Sequence, residues 1–298
     1  IKEERINDSL ALWTKNKNEI KNEEYNNFYT QLGLNYDKPW KIIHNKSEGT
    51  INFTNLIFIP SEKPFDLLHA DKKVNLKLYI KKVFITDKCE NLIPKYMRFL
   101  TGVIDSEDIS LNISREMLQN DPVIAKISNN IVKKVLAELE KELKNNKEQY
   151  INFWKNFGST LKEGIHEDFT NKESILKLSL FQNNKNDSWN TIEEYVTRMP
   201  KEQKYIYYIS GENTEALLKS PQMESFNKNK IEVLLFTDPI DEFWLPNMDN
   251  FKKIKFKSIT KGDIDLKDQD ADKDGKKVKN NNLDKLIAYL KSFYGNKV

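Results

Sequence analysis

The spacing of apolar and polar positions changes period several times along the chain, and each change predicts an element. In "NEEYNNFYTQLG", Tyr25, Phe28, Tyr29 and Leu32 recur at helical intervals, with Gly33 placed to close the helix. "GTINFTNLIFIP" and "NLKLYIKKVFIT" read as strands. In the second, Leu76, Leu78 and Ile80 alternate with Asn75, Lys77, Tyr79 and Lys81, as on a strand with one buried face. The strongest helical signal is "NDPVIAKISNNIVKKVLAELEKEL". Asp121 suits its N-cap and Pro122 its first turn, and Val123, Ile124, Ile127, Ile131, Val135, Leu139 and Leu143 form one apolar stripe.

Strands interleaved with helices predict the α/β class. A large α/β/α layered domain is expected over 1–148, a short helical connector over 149–187, and a smaller α/β/α domain over 188–262. Within the smaller domain, "YIYYIS" and "IEVLLFT" are short continuous apolar runs, as in strands covered on both faces. The helix-compatible stretch between them predicts a right-handed βαβ unit, and "KKIKFKSIT" a further strand. Residues 263–298 begin with the polar "DLKDQDADKDGKKVKNNN", read as a linker. They recover an amphipathic helix in "LDKLIAYLKSFYG", which would lead into a further domain. The chain opens on Ile1 without a signal-peptide pattern, so it reads as a segment of a longer protein.

Charge and composition mainly exclude. Forty-eight Lys and Arg against 45 Asp and Glu leave +3, too little excess to predict a nucleic-acid stripe. No apolar run approaches the ~20 residues of a membrane span. Cys89 is the only cysteine and His44, His69 and His166 are scattered, so neither a disulfide nor a Cys/His zinc site is expected. An intracellular, reducing compartment follows as the expectation. His166, flanked by Glu167 and Asp168, reads as a surface histidine. "DADKDG", with Asp270, Asp272, Asp274 and Gly275, copies the opening of a calcium loop, but Asn281 stands where the bidentate glutamate belongs. No phosphate-cradling glycine loop or nucleophile elbow occurs.

That leaves "SLNISREMLQNDP", where Arg115 stands between a polar turn and the mouth of the long helix. Two readings fit it. Arg115 pairs with Glu116 or with the upstream acids of "DSED" as an ordinary surface ion pair. Alternatively it reaches out of the domain, its planar fork suited to a phosphate oxygen, with Gln119 one turn later as a neutral donor. An arginine lent by one domain to a nucleotide held by another is a recognised device of phosphoryl transfer. Physical chemistry permits this reading without selecting it.

"GVIDSEDISLNISREMLQ" closely resembles the signature of the middle segment of the heat-shock protein 90 chaperones. The likeness extends in order through "ALWTKNKNEIKNEEYNNFY", "NLKLYIKKVFITDKCENLIPKYMRFL", "LKEGIHEDF", "EEYVTRMPKEQKYIYYISGE" and "IEVLLFTDPIDEF". "ALWTKNKNEI" and "FWKNFG" look most like the bacterial branch that eukaryotes also keep in organelles. The resemblance implies a middle segment of an ATP-dependent chaperone that binds client proteins. It implies that Arg115 reaches the γ-phosphate of ATP, with its Mg, held by an N-terminal domain, assisted by Asn112 and Gln119. Phe84 matches an aromatic that packs this loop into position, and Tyr36 stands where many members carry a client-contact tryptophan, with Trp40 nearby. A partly buried packing role for Tyr36 fits equally well. Ser110 replaces the family's usual proline and Asn120 its second glutamine.

The resemblance further implies unfolded or partly folded clients, the protein's own N- and C-terminal domains and co-chaperones as partners, and homodimerisation through a C-terminal domain. Neither nucleic acid nor membrane is expected as a partner, nor ATP hydrolysis by this segment alone. The location would be cytoplasmic in a bacterium, or the lumen of a plastid or mitochondrion in a eukaryote. The competing reading is a protein-interaction scaffold that needs no nucleotide. An independent enzyme is the weakest, because no nucleophile–base pair is visible.

Overall fold

The computed structural model describes residues 11–33, 37–69, 75–87, 89–110, 118, 121–186, 188–261 and 289. Its architecture is set by two sheets that share one long core. The first holds β1 (Pro39–Ser47), β2 (Phe53–Pro60), β3 (Asn75–Ile80), β4 (Val83–Thr86) and β5 (Thr101–Ser106), in the order β1-β2-β5-β3-β4. Only β3 and β5 run parallel; the other neighbours are antiparallel.

Period-two alternation sends neighbouring residues of this sheet into different cores. Leu56, Phe58 and Val103 face α1 (Asn22–Gly33) and Trp13, while Ile57, Ile59 and Ile104 face the helices of the opposite layer. Those helices are α2 (Pro122–Asn145) and α3 (Lys147–Glu167), which makes the unit α/β/α. The predicted stripe of α2 is seated as expected: Ile124, Ile127, Ile131, Val135 and Leu139 are buried, with Val123 and Leu143 partly covered at the margins.

The short helix α4 (Lys172–Leu178) leads into the second sheet. This sheet holds β6 (Leu180–Asn183), β7 (Asn190–Thr191), β8 (Tyr205–Ser210), β9 (Leu234–Phe236), β10 (Asn250–Phe251) and β11 (Ile254–Ser258). Their order is β10-β11-β8-β9-β6-β7, with β8 parallel to both β9 and β11. Helix α5 (Ile192–Arg198) begins with a full capping box between Thr191 and Glu194. Helices α6 (Thr214–Leu218) and α7 (Pro221–Lys228) form the crossover from β8 to β9 and cover Tyr207, Ile209 and Leu235. The opposite face of this sheet, with Ile206, Leu234 and Phe236, joins the core of the first unit together with Trp244 of α8 (Asp241–Trp244).

Three details depart from the sequence reading. "NLKLYIKKVFIT" is not one strand but a hairpin: Ile80 pairs with Val83, and Lys81 and Lys82 form the two-residue turn at φ 48° and 68°. Both values are those of a type I′ turn, which favours Asn-Gly, so two lysines gave no turn signal. Strand β6 lies inside the stretch expected to be a helical connector; four residues are too few to show a period. Strand β5 was not anticipated, although it is the central strand of its sheet. Its polar Thr101, Asp105 and Ser106 are all buried, and burial on both faces removes the alternation that would have marked it. The expected linker and final helix within 263–298 lie outside the described residues apart from Tyr289, as does the calcium-loop look-alike.

Gly102 shows how tightly β5 is gripped. A Cβ there would stand 2.3 Å from the Leu56 carbonyl oxygen and 2.9 Å from the Ile57 Cα, both main-chain atoms of β2 that cannot swing away. Gly102→Ala should therefore cost about 3 kcal/mol, at the upper end for overpacking. Urea unfolding measures it, and a loss below about 1 kcal/mol contradicts this packing.

Candidate functional site

The candidate site is built around the exit of β5, because the chain runs from there towards Arg115. That exit is held from both sides. On the side of the β1–β2 turn, the Asn52 amide donates to Asp108 Oδ2 (2.6 Å) and the Glu107 amide to the Asn52 carbonyl (3.1 Å). On the side of the β3–β4 hairpin, the Lys81 amide donates to the Ser106 carbonyl (3.0 Å) and the Lys82 amide to Asp105 Oδ1 (3.1 Å). The second Asp105 oxygen accepts from the Trp13 indole Nε1–H at 2.9 Å. A buried carboxylate with two neutral donors is a stable anchor, because neither oxygen is left unpaired away from water.

Beyond this exit, Ile109 is buried in the main core, and so is Leu118. Three residues later the Asp121 side chain accepts from the Val123 amide at 2.7 Å and caps α2, with Pro122 in its first turn. Arg115, Asn112, Gln119 and Asn120 lie outside the described residues, but the chain is fixed on either side of them. Asp121→Ala should lower stability by about 1 kcal/mol, the usual value of an N-cap. The urea midpoint reads this change, and an unaltered midpoint speaks against the cap.

Phe84 lies in β4, half exposed, with its ring edge-on to Tyr79 at 5.5 Å between centroids. Tyr79 in turn packs on Trp13 at 4.6 Å, so Phe84 is the open end of an aromatic row. Trp13 is held by His44, whose Nε2 lies 3.0 Å from the Trp13 carbonyl and whose Nδ1 lies 2.8 Å from the Tyr25 hydroxyl. Burial, with Lys17 adding to it, pushes the His44 pKa below its ordinary value, although the Trp13 carbonyl acts the other way. A neutral ring fits the geometry: Nε2–H donates to Trp13 and Nδ1 accepts from Tyr25.

Tyr36 lies outside the described residues. The adjoining Asp37 collects the Tyr29 hydroxyl (3.0 Å), the Ser61 amide (2.9 Å) and the Glu62 amide (3.2 Å). Trp40 is partly buried in β1 and stacks on Phe153 of α3 at 4.8 Å with 16° between the planes. One of its faces is thereby committed to packing. It also borders a cleft of about 380 Å³ lined by Pro60, Ser61, Gln149 and Asn156. The two sequence candidates that are described sit in different neighbourhoods: Phe84 beside the β5 exit, Trp40 against α3.

A set of lysines near the β5 exit was missed by sequence reasoning. Lys81 and Lys82, taken there as strand residues, project from the hairpin turn beside Asp105 and Glu107. A "KK" pair interrupting an apolar alternation was the one signal available. Among the described residues, no three or more His, Cys, Asp or Glu side chains are grouped to hold a metal ion, and no helix is long and apolar enough to cross a membrane.

Comparison with known proteins adds family membership to this geometry. The profile of the Hsp90 protein family matches residues 1–298. The chain is 47% identical over 309 residues to the chaperone protein HtpG of Orientia tsutsugamushi, covering 100% of this chain and 49% of that relative. It is 44% identical over 301 residues to HtpG of Paramagnetospirillum magneticum, covering 99% and 48%. It thus spans about half the length of the curated relatives it matches. Among solved structures, the middle domain of a heat shock protein of Plasmodium falciparum superposes with a TM-score of 0.73 at 30% identity, over 84% of this chain and 99% of that one. A likeness that runs the whole length of the sequence, and a shared fold at that identity, leave one assignment: the chain belongs to the Hsp90 protein family.

Proposed function

We propose that this chain is the middle segment of an ATP-dependent chaperone, lending Arg115 to the γ-phosphate of ATP bound in a separate nucleotide-binding domain. The observation that carries the reading is the double clamp on the β5 exit, with Ile109 and Leu118 buried on either side of Arg115. An arginine that acts across a domain boundary has to be held on a rigid base, because its contribution depends on prior positioning. The central strand of one sheet and the capped start of a 24-residue helix supply such a base.

In this reading, magnesium-bound ATP supplies a polarised terminal phosphate when the nucleotide-binding domain docks. Arg115 then places its guanidinium against the charge that develops there, and Asn112 and Gln119 add neutral donors. Phe84, at the open end of its aromatic row, supports the segment from the β4 side. The same contacts make docking and nucleotide state interdependent, because Arg115 finds its phosphate only when the two domains meet. Residues 1–148 carry this function, 188–262 form the second unit, and 263–298 lead to a C-terminal dimerisation domain. Client proteins would meet the aromatic surface around Trp40 and Tyr36. This half of the protein is not expected to hydrolyse ATP unaided.

Mixing the chain with a separately produced nucleotide-binding domain tests the proposal. ATP turnover stimulated by the wild-type chain but not by Arg115→Ala supports it. A rate unchanged by either chain leaves a nucleotide-independent scaffold as the better reading.

A further inference from the structure

Between Trp13 and the tip of the β3–β4 hairpin lies an open cleft of about 590 Å³ whose lining is strongly cationic. Lys15, Lys17, Lys46, Lys81 and Lys82 border it. Only two acids, Asp105 and Glu107, stand among the lining residues, and Asp105 is buried with both oxygens occupied by the Trp13 indole and the Lys82 amide. Lys46 pairs with Glu48 (2.6 Å) and Lys15 with Glu24 (3.4 Å). Lys17, Lys81 and Lys82 are exposed and make no ion pair among the described residues. Three ammonium groups thus border one concavity in which Glu107 supplies the one carboxylate besides the buried Asp105.

The backbone gives an independent reason to look here. Lys81 and Lys82 both take the left-handed conformation, at φ 48° and 68°, where Asn-Gly would fit with less strain. A second lysine pair, Lys252 and Lys253, makes the β10–β11 turn at φ 48° and 71°, but there Lys252 is paired with Glu193. At the β3–β4 hairpin the strain is accepted although neither lysine makes an ion pair among the described residues. Strained residues whose side chains have no structural task point to a ligand.

The chemistry narrows its class. Lysine is a compact point charge suited to phosphate oxygens, and Asn45 and Thr54 add an amide and a hydroxyl to the wall. The Asn16 side-chain Oδ1 accepts from the Asn18 main-chain amide at 3.1 Å, leaving the side-chain NH₂ as another donor. The cleft is of ligand size and the whole chain carries only +3, which disfavours an extended nucleic acid. We propose that this cleft between Trp13 and the Lys81–Lys82 turn binds a compact phosphate-bearing anion, either free or carried on a phosphorylated side chain.

The test is titration calorimetry of the 298-residue chain at low ionic strength, with inorganic pyrophosphate in one arm and a phosphoserine peptide in the other. The unphosphorylated peptide is the control. Saturable binding of pyrophosphate identifies a free anion as the ligand, and preference for the phosphopeptide identifies a modified protein. The decisive variant is Lys81→Asn with Lys82→Gly, which removes both charges and installs the preferred turn pair. It should melt no lower than wild type yet bind about tenfold more weakly or worse, as expected from losing two charge-assisted contacts. Arg115→Ala should bind as wild type, which separates this site from the one in the preceding section. Absence of saturable binding, equal binding by the double variant, or loss confined to Arg115→Ala overturns the proposal.

Discussion

Full-length protein carrying Arg115→Ala turns over ATP at least about a hundredfold more slowly than wild type, the usual scale for one pre-positioned donor to a developing charge. Its melting temperature and circular dichroism stay unchanged, because Asp105, Ser106, Ile109, Leu118 and Asp121 anchor the segment on both sides. Nucleotide affinity of the open state also stays close to wild type, since in the proposed mechanism the arginine engages only after docking. Arg115→Lys restores little, because an ammonium cannot reproduce a bidentate fork. Turnover within about threefold of wild type, far short of the transition-state term, would show that the positive charge at this position is dispensable.

The second large effect is on stability, and it comes from a polar group that the candidate site does not use. Lys162 of α3 is buried, with Nζ 2.5 Å from Asp238 Oδ2 and 2.8 Å and 3.0 Å from the two oxygens of Asp241. Asp241 is itself wholly buried and accepts from the Trp244 indole at 2.8 Å. Burial opposes the charged ammonium, but Asp241 and Asp238 outweigh it and hold the Lys162 pKa above its ordinary value. The lysine also lies 4.9 Å from the centre of the Phe181 ring in β6, so this cluster ties α3 to the second sheet.

Lys162→Met leaves the Asp241 carboxylate buried without a counter-ion and should cost about 3–5 kcal/mol. The loss is measured by urea unfolding. A double variant, Lys162→Met with Asp241→Leu, removes the orphaned charge and should recover most of it, since apolar replacement of a whole buried pair is often neutral. A single variant within about 1 kcal/mol of wild type would mean that the cluster is not a tie between the two units.

What could be read in advance depended on how each element shows its environment. Helix α2 was legible to its cap because one face is buried and the other solvated, so its stripe appears in the letters. Strand β3 was legible for the same reason: Leu76, Leu78 and Ile80 are buried while their neighbours are only partly covered. Strand β5, covered on both sides, has no alternation, and its buried Asp105 and Ser106 look like loop residues until their partners are known. Those partners, Trp13, Asn52 and the Lys81–Lys82 turn, lie 20 or more positions away in sequence and could not be paired by pattern.

The site followed the same division. Arg115 was found from a resemblance, since composition and spacing alone favoured an ordinary surface ion pair. Phe84 has a place beside the β5 exit through Tyr79 and Trp13. Trp40 has one face committed to Phe153, a packing role that no local pattern disclosed. The lysine cleft is a tertiary object, assembled from the 3-10 turn at Leu12–Thr14 and the residues after it, three strands and a hairpin tip. No single stretch of sequence contains it.

The most direct test of the arginine's role is proximity to the phosphate itself. ATP carrying a photoreactive group on its γ-phosphate can be bound to the full-length protein, irradiated, and the labelled peptide mapped. Label on the peptide containing Arg115 is the expected result, reduced when the docked state is prevented. Label confined to the nucleotide-binding domain under conditions that support turnover would contradict the account.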